Sequence, residues 1–330
     1  MRFTVATLLL GFACALPASA QTPSASRDQA VSPLNVTTEF SSSVGAECDG
    51  GEGLVVQLQY TGAQPLRGYL VALYPRDSVT GRPLPLRAIQ GFTSPLESMI
   101  ATGTTWTRTV CSIPESIAGT PVTVTAKVDV LKFSDGSIWG PAALPATHQL
   151  LGQLEGMDFV MGSSPEEKFV TPILPAGEPL PVQSPKSQTI GPVSIESGVW
   201  RDLANTDMLI LEITNASATP IRGYVFTISF IDPATGNYFR RVTTKEVETH
   251  GDPSDYLAPA GAWLAGPRKF SHLDDGSLAA YKIDLDYVVF ADGSTFGPRM
   301  SRESDELQGM ILGIEMAKAL GGRTSANLDR

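Results

Sequence analysis

A long internal repeat constrains the fold of this chain more than any other feature of its sequence. Three segments occur twice, at offsets of 155 to 157 residues: Pro65–Tyr69 and Pro220–Tyr224, Val128–Ser137 and Leu285–Ser294, Gly140-Pro141 and Gly297-Pro298. A repeat of this length indicates two copies of one domain, each large enough to have its own hydrophobic core. A residue that both copies share serves something that both copies need.

The shared residues carry no recognisable catalytic signature. They are Arg67/Arg222, Gly68/Gly223, Tyr69/Tyr224, Trp106/Trp263, Asp129/Asp286 and Phe133/Phe290. Our structural interpretation is an ion pair between neighbouring strands of each copy, in which Arg67 pairs with Asp129 and Arg222 with Asp286. An exposed pair of this kind contributes only about 0–1 kcal/mol, so its value would be strand register more than stability. The functional alternative is a ligand patch, used twice, that consists of Arg67, Tyr69, Asp129, Arg222, Tyr224 and Asp286.

Apolar residues within each copy alternate with period two, which predicts β-strands. The clearest pairs of strand candidates are Leu54–Tyr60 and Met208–Ile213, Arg67–Tyr74 and Arg222–Ile231, and Pro121–Phe133 and Ala280–Phe290. An Asp-Gly pair follows each of the last two, and it tolerates the positive φ of a tight hairpin. Short strands, hairpin turns and little helix predict a mainly β fold of two tandem antiparallel β-sandwich domains, each followed by a short amphipathic helix.

This strand count and turn chemistry resemble the tandem immunoglobulin-like or fibronectin-III-like β-sandwich domains of bacterial secreted proteins. The resemblance covers both copies and concerns the fold alone. The spacing of tryptophan and paired cysteines in true immunoglobulin domains is not clearly met.

After each Gly-Pro pair the apolar period changes to that of a helix. One helical face holds Leu150, Leu154, Met157 and Met161, and its repeat holds Leu307, Ile311 and Ile314, widened by Met310. Both predicted helices carry glycines four residues apart: Gly152 and Gly156, then Gly309 and Gly313. Each glycine costs about 1 kcal/mol relative to alanine, so a reason for it is needed. We interpret them as sites of close packing, of a helix on its own sandwich or of the two helices on each other. The alternative is a docking surface for a partner.

The domain boundaries follow from these patterns. We expect a signal peptide at 1–20, an N-terminal extension at 21–32, the first sandwich with its helix at 33–162, a proline-rich linker at 163–186, the second sandwich with its helix at 187–322 and a tail at 323–330. The linker holds six prolines in 24 residues and is expected to be an extended spacer that joins no sheet and continues no helix. The sequence leaves open whether it is a free spacer or a docked strap.

The first twenty residues have the pattern of a secretory signal. Arg2 precedes an apolar run from Val5 to Leu16, and Ala18-Ser19-Ala20 is a small-residue cleavage site. The mature chain is therefore expected to begin at Gln21 and to lie in a periplasm or outside the cell. A lipoprotein anchored at Cys14 is the alternative, although the residues before it match a lipidation site poorly. No later segment has the roughly 20 apolar residues of a transmembrane helix.

Two cysteines remain after cleavage, Cys48 and Cys111, and both lie in the first copy. Two thiols of one small domain are expected to form a disulfide in an oxidising compartment. This bridge would close a loop of about 60 residues and contribute about 3–4 kcal/mol. A free or metal-bound thiol pair is the alternative.

Charge and composition exclude two classes of partner. The formal net charge is −10 and no basic run is present, so the chain lacks the electrostatic footprint of nucleic-acid binding. The same balance disfavours adhesion to anionic lipid. With 42% hydrophobic and 18% charged residues, the chain has the composition of a globular protein.

Residues that could carry catalysis or bind a metal are few. The three histidines, His148, His250 and His272, are in no zinc-protease, Cys-His or Ser-His-Asp context, and we interpret them as surface or turn residues. The carboxylates Asp274, Asp275, Asp284, Asp286 and Asp292 crowd one stretch of the second copy and could supply oxygen ligands to calcium. Only Asp286 and Asp292 of this group are shared between the copies. We therefore expect no cofactor, with calcium as the alternative.

Duplication without catalytic chemistry predicts a non-enzymatic binding or scaffold protein. Its two modules would engage a protein or glycan of the envelope or of the extracellular space, with avidity from the duplication. The first alternative is a glycan-binding module that uses exposed aromatic residues and arginine. Trp139, paired with Phe296, is a candidate sugar platform, although an apolar plug at the end of the sandwich is our preferred interpretation. A hydrolase with an unrecognised site is the third hypothesis.

Overall fold

Two antiparallel sheets that face each other across an apolar core form each copy of the repeat. A computed structural model describes residues 32–41, 48, 53–94, 98–111, 113, 115–117, 119–162, 177–180, 187–202, 205–247, 256–273 and 276–328. The described residues divide into two compact units: the first module ends at Leu154, and the second module begins at Glu155. The expected signal peptide and all but the last residue of the expected N-terminal extension lie outside the described residues.

The first module consists of two sheets and the start of a helix. Its elements are β1 (Leu34–Ser41), β2 (Gly53–Tyr60), β3 (Leu66–Asp77), β4 (Arg87–Phe92), β5 (Thr105–Val110), β6 (Ser116–Ile117), β7 (Thr120–Phe133), β8 (Ile138–Trp139) and α1 (Pro145–Gly162). One sheet has the order β1-β2-β5, and the other has the order β4-β3-β7-β6, with β8 also paired to β7. From Glu155 onward, α1 belongs to the second unit.

The alternation seen in the sequence places one face of each strand in the core. On β7, Val122, Val124 and Ala126 pack into the core, while Thr123 and Thr125 are exposed on the other side of the sheet. The opposite sheet fills the core with the inward residues of β2. Cys48 and Cys111 lie at disulfide distance in this module, with an S–S distance of 2.08 Å and a Cα–Cα distance of 5.1 Å.

The second module repeats this arrangement and adds a complete helix. Its elements are β9 (Gly177–Leu180), β10 (Ser187–Ile190), β11 (Val193–Asp202), β12 (Asp207–Asn215), β13 (Ile221–Ile231), β14 (Tyr238–Val247), β15 (Ala262–Lys269), β16 (Ala280–Phe290), β17 (Thr295–Phe296) and α2 (Arg302–Leu328). One sheet has the order β10-β11-β12-β15, with β9 also on β11, and the other has the order β14-β13-β16-β17. The fold is therefore mainly β, as predicted.

α2 covers part of the outer face of its sheet. Leu307 and Ile311 of the helix pack with Val225, Tyr287 and Val289, which point away from the sandwich core. The second module thus has three layers: helix, sheet and sheet. Neither helix in the described part of the chain is both long enough and apolar enough to cross a bilayer.

Two sequence expectations need correction. Gly177–Leu180 of the predicted linker joins a sheet, because β9 pairs with Val199–Asp202 of β11. Proline is tolerated in such a strand, since an edge strand leaves some N–H positions without a ladder partner. The rest of the predicted linker lies outside the described residues. In addition, α2 continues to Leu328, through most of the predicted tail, because the Gly321-Gly322 pair does not end the helix.

Candidate functional site

The residues shared by the two copies are mostly buried. Tyr69 and Tyr224 are each 1% exposed, and Asp129, Arg222 and Asp286 are 5%, 7% and 8% exposed. Arg67 is half-buried. The shared residues therefore do not form an exposed ligand patch, and the site must be sought by first accounting for what each of them does.

The shared arginine and aspartate are the extra residues of two β-bulges in each module. The register of β3 and β7 shifts at Arg67 and at Asp129, and that of β13 and β16 shifts at Arg222 and at Asp286. A bulge redirects side chains and changes the phase of the alternation. In β16, for example, Ile283 and Leu285 face the core before the bulge and Val288 and Phe290 face it afterwards.

The bulged aspartates bind the beginnings of the helices. Asp286 accepts hydrogen bonds from the N–H groups of Met300 and Ser301, at 2.9 and 3.0 Å, and from the hydroxyls of Ser301 and Ser304. These donors are groups that a helix N-terminus leaves without an intrahelical partner. Burial raises the pKa of Asp286, but the hydroxyl and N–H donors outweigh it and hold this pKa below its ordinary value.

The first module has the same arrangement. Asp129 accepts hydrogen bonds from the N–H groups of Ala143 and Leu144, at 3.2 and 3.1 Å, and from the hydroxyl of Thr147. Thr147 and Ser304 are both 0% exposed and are 157 residues apart, as are the two aspartates. Sequence reasoning missed these hydroxyls, although comparing the copies at that offset could have found them.

The hydrogen bonds of Asp129 and Asp286 go to the helix starts. The predicted ion pairs with Arg67 and Arg222 are not among the salt bridges of the described residues, and they remain predictions. In the second module, the guanidinium of Arg222 forms a salt bridge with Glu315 of α2, and it lies 5.4 Å from the ring centroid of Tyr256. Arg222 thus helps to hold the helix on its sheet.

The shared aromatic residues belong to the core. The ring centroids of Tyr69 and Trp106 are 5.3 Å apart, and the Trp106 indole N–H donates to the Tyr69 hydroxyl at 2.8 Å. Tyr224 and Trp263 repeat the ring contact at 5.8 Å. Trp139 is half-buried and packs against the first core, which fits the plug interpretation.

The helix glycines are buried within the described structure. Gly152, Gly156, Gly309 and Gly313 all fall in the buried class. A Cβ on Gly156 would approach the backbone oxygen of Met310 to 2.2 Å, so this glycine permits close packing against α2 within the second unit. Close packing accounts for Gly156, and none of the four glycines is exposed for docking.

The candidate metal ligands and histidines have individual structural partners. Asp284 pairs with Lys282 at 2.6 Å, and Asp292 accepts a hydrogen bond from Ser294 in its turn. Asp274, Asp275 and His250 lie outside the described residues. Within the part of the chain that the structure describes, no three His, Cys, Asp or Glu side chains come together as metal ligands.

His272 is the one candidate whose pairing has a chemical implication. Its Nε2 lies 2.8 Å from a carboxylate oxygen of Asp207, and Arg201 donates two hydrogen bonds to the same carboxylate. The hydrogen bond from Arg201 is the main reason that the pKa of Asp207 is lowered. A carboxylate orients the imidazole of a Ser-His-Asp triad, which also needs a hydroxyl nucleophile. Among the described residues no hydroxyl or thiol is hydrogen-bonded to this histidine, so these residues do not form such a triad.

In each module, exposed residues lie on the outer face of one sheet, which we call the central sheet. It is the sheet of β3 and β7 in the first module and that of β13 and β16 in the second. The first outer face consists of Tyr74, Arg76 and Lys127. The Lys127 ammonium lies 5.7 Å from the Tyr74 ring centroid, and Tyr74 is 36% exposed. Arg76 donates to the backbone carbonyl of Gly81 at 3.1 Å. Within the described structure, neither cation is neutralised by a carboxylate.

The second outer face consists of Ser229, Tyr238, Arg241, Lys282 and Asp284, and the Asp284 carboxylate pairs with Lys282. Ser229 lies in register between Arg241 of β14 and Lys282 of β16. Its side chain is 1% exposed, and its hydroxyl has no hydrogen-bond partner among the described residues. Tyr238 is 58% exposed at the end of the same face. Sequence reasoning missed both outer faces because their residues are not repeated.

No protein-family model matches the chain, and no curated protein matches it either.

Proposed function

We propose that this chain is a secreted, non-enzymatic binding or scaffold protein whose two β-sandwich modules engage a macromolecule of the envelope or of the extracellular space. The observation that carries the proposal is the use of the shared residues. The aspartates cap helices, the tyrosines and tryptophans fill cores, and Arg222 fastens α2 to its sheet. The residues that both copies share thus have structural roles, and a binding function is left to exposed residues that differ between the copies.

Further features support the same proposal. The Cys48–Cys111 pair at disulfide distance fits an oxidising compartment, in agreement with the expected signal peptide. The two-sheet architecture agrees with an immunoglobulin-like or fibronectin-III-like domain, a class that we propose at the level of fold. Because sandwiches support many functions, the fold itself does not choose among them.

The test is affinity capture with the mature chain, Gln21–Arg330, as immobilised bait. Envelope and culture-supernatant extracts are passed over it, and bound proteins and sugars are identified by mass spectrometry. We expect a saturable, stoichiometric partner that free bait displaces. The same preparation is incubated with chromogenic esters, peptides and glycosides. Turnover that is lost in His272→Ala would contradict the non-enzymatic assignment.

Deletion of α2 is unsuitable for mapping the partner. The helix covers Val225, Tyr287 and Val289, so its removal would expose an apolar sheet face. Capture by such a truncated chain would report non-specific adhesion. Point substitutions of exposed residues are the appropriate variants.

A further inference from the structure

We infer that the two outer faces bind an acidic polysaccharide, with its carboxylates or sulfates on the cations and its sugar rings on the exposed tyrosines. This inference rests on the proposed function, because it names the ligand class of the binding modules. The chemistry is present twice, on the same side of the central sheet of each module.

Charge complementarity is the first argument. The whole chain carries a formal charge of −10, yet the charged groups of the first outer face, Arg76 and Lys127, are both cations. In the second outer face, Arg241 and Lys282 flank Ser229 on neighbouring strands, so they lie about 10 Å apart at the strand spacing. The hydrogen bond to Asp284 is the main cause of the raised pKa of Lys282, and Arg241 opposes this rise only in part. Arg241, Lys282 and Asp284 together leave one net positive charge on this face, which a bound anion would neutralise.

The buried hydroxyl of Ser229 is the second argument. A buried polar group without a partner costs about 1–3 kcal/mol. This hydroxyl lies between two cations on the face where an anion would bind. Ser229 is paired with Arg241 on one side and with Lys282 on the other. A carboxylate or sulfate oxygen held by both cations would therefore lie next to Ser229 and would accept a hydrogen bond from its hydroxyl.

The exposed tyrosines select a sugar polymer over other anions. Tyr74 and Tyr238 present rings with an apolar surface and a polar hydroxyl beside cations on an open sheet face. An inorganic anion would use only the cations. Nucleic acid would also use both groups, but its affinity grows with the number of phosphates that a protein neutralises, and each face offers only two cations.

The experiment measures binding of the full mature chain to polygalacturonate by calorimetry, with dextran as the neutral polymer. We expect binding to polygalacturonate alone, and weakening as the ionic strength rises from about 0.05 to about 0.3 M. Arg76→Gln with Lys127→Gln removes two charges from the first face. Arg241→Gln with Lys282→Gln does the same in the second face.

Each of these double variants is expected to weaken binding about tenfold, and all four changes together about 100-fold or more, because both modules hold one polymer. Tyr74→Ala and Tyr238→Ala should each weaken binding with no change in net charge. The matched control is Arg302→Gln with Lys318→Gln, which removes two charges from α2 and should leave affinity unchanged. Thermal unfolding of every variant checks that it folds.

Several outcomes overturn the inference. Equal binding to dextran would show that charge has no role. An equal loss of affinity in the α2 control would show that the variants act only through the net charge of the chain. Tighter binding to single-stranded DNA of equal charge would assign another ligand class. No binding to polygalacturonate or to a sulfated glycan also overturns it. In that case a protein partner in the affinity capture leaves the proposed function standing, and an empty capture removes both.

Discussion

Asp286→Asn is expected to lower the free energy of unfolding of the second module by about 3 kcal/mol at neutral pH. The carboxylate satisfies two backbone N–H groups and two hydroxyls at the start of α2. An amide replaces one acceptor oxygen with a donor, so some of these donors lose their partner. Loss of a helix cap costs about 0.5–2 kcal/mol, and an unsatisfied buried donor costs about 1–3 kcal/mol.

The effect of Asp286→Asn should depend on pH. The pKa of Asp286 in the folded chain is below its unfolded value, so its contribution to stability is complete above about pH 4 and is lost as the pH falls through the folded pKa. The difference between wild type and variant therefore shrinks in acid. Urea unfolding at neutral pH and near pH 3 measures it, and hydrogen exchange of the α2 amides locates it.

Asp292→Asn is the matched control for this prediction. Asp292 lies in an exposed turn, and its pKa is lowered mainly by the hydroxyl of Ser294. It caps no helix, so its replacement should cost less than about 1 kcal/mol. Equal losses in the two variants, or a loss at Asp286 that persists unchanged in acid, would show that the helix cap is not what this carboxylate provides.

The repeat predicted the architecture but not the local geometry of the shared residues. Offsets and alternation were enough to place β2, β3, β7 and their counterparts, because burial on one face of a strand leaves a period-two pattern. A bulge interrupts that pattern by a single residue. Such a break is present in the sequence on either side of Asp129 and Asp286, where inward residues change phase, but the ion pair predicted for these aspartates took no account of it.

The outer faces lay beyond sequence reasoning for a different reason. Comparing the copies selects residues that both copies need, and these residues prove to stabilise the fold. Tyr74 aligns with Ser229, and Lys127 aligns with Asp284, so neither outer face appears in the shared set. Only the register of β13, β14 and β16 shows that Arg241, Ser229 and Lys282 are neighbours. Because the residues of the two outer faces do not align, comparing the copies cannot find these faces and the structure is needed.

Gly297→Ala is expected to be the most damaging single-methyl change in the second module, with a loss of about 4 kcal/mol or more. Gly297 has φ of +109°, and a Cβ there would approach the backbone oxygen of Asp286 to 2.3 Å. The backbone conformation alone costs a residue with a side chain about 1–3 kcal/mol. Relieving the clash would move either the Gly-Pro segment or the bulge, and thereby the carboxylate that caps α2.

Gly293→Ala separates the two causes. Gly293 also has a positive φ, +82°, but a Cβ there would meet nothing within 4 Å. Its replacement by alanine should therefore cost only about 1–2 kcal/mol, from backbone strain. Calorimetric unfolding and α2 hydrogen exchange compare the variants, and losses of similar size would contradict a role for the close approach.

The first module supplies the decisive comparison, because a Cβ on Gly140, which has φ of +112°, would approach the backbone oxygen of Asp129 to 2.4 Å. Similar losses of stability from Gly140→Ala and Gly297→Ala would assign the repeated Gly-Pro to the joining of helix and sheet, which both modules need. The outer-face variants should behave in the opposite way, with stability unchanged and polysaccharide affinity reduced. A Gly-Pro variant that folded normally yet lost binding would instead place this segment in the ligand site, and the separation of a repeated scaffold from a variable binding face would not hold.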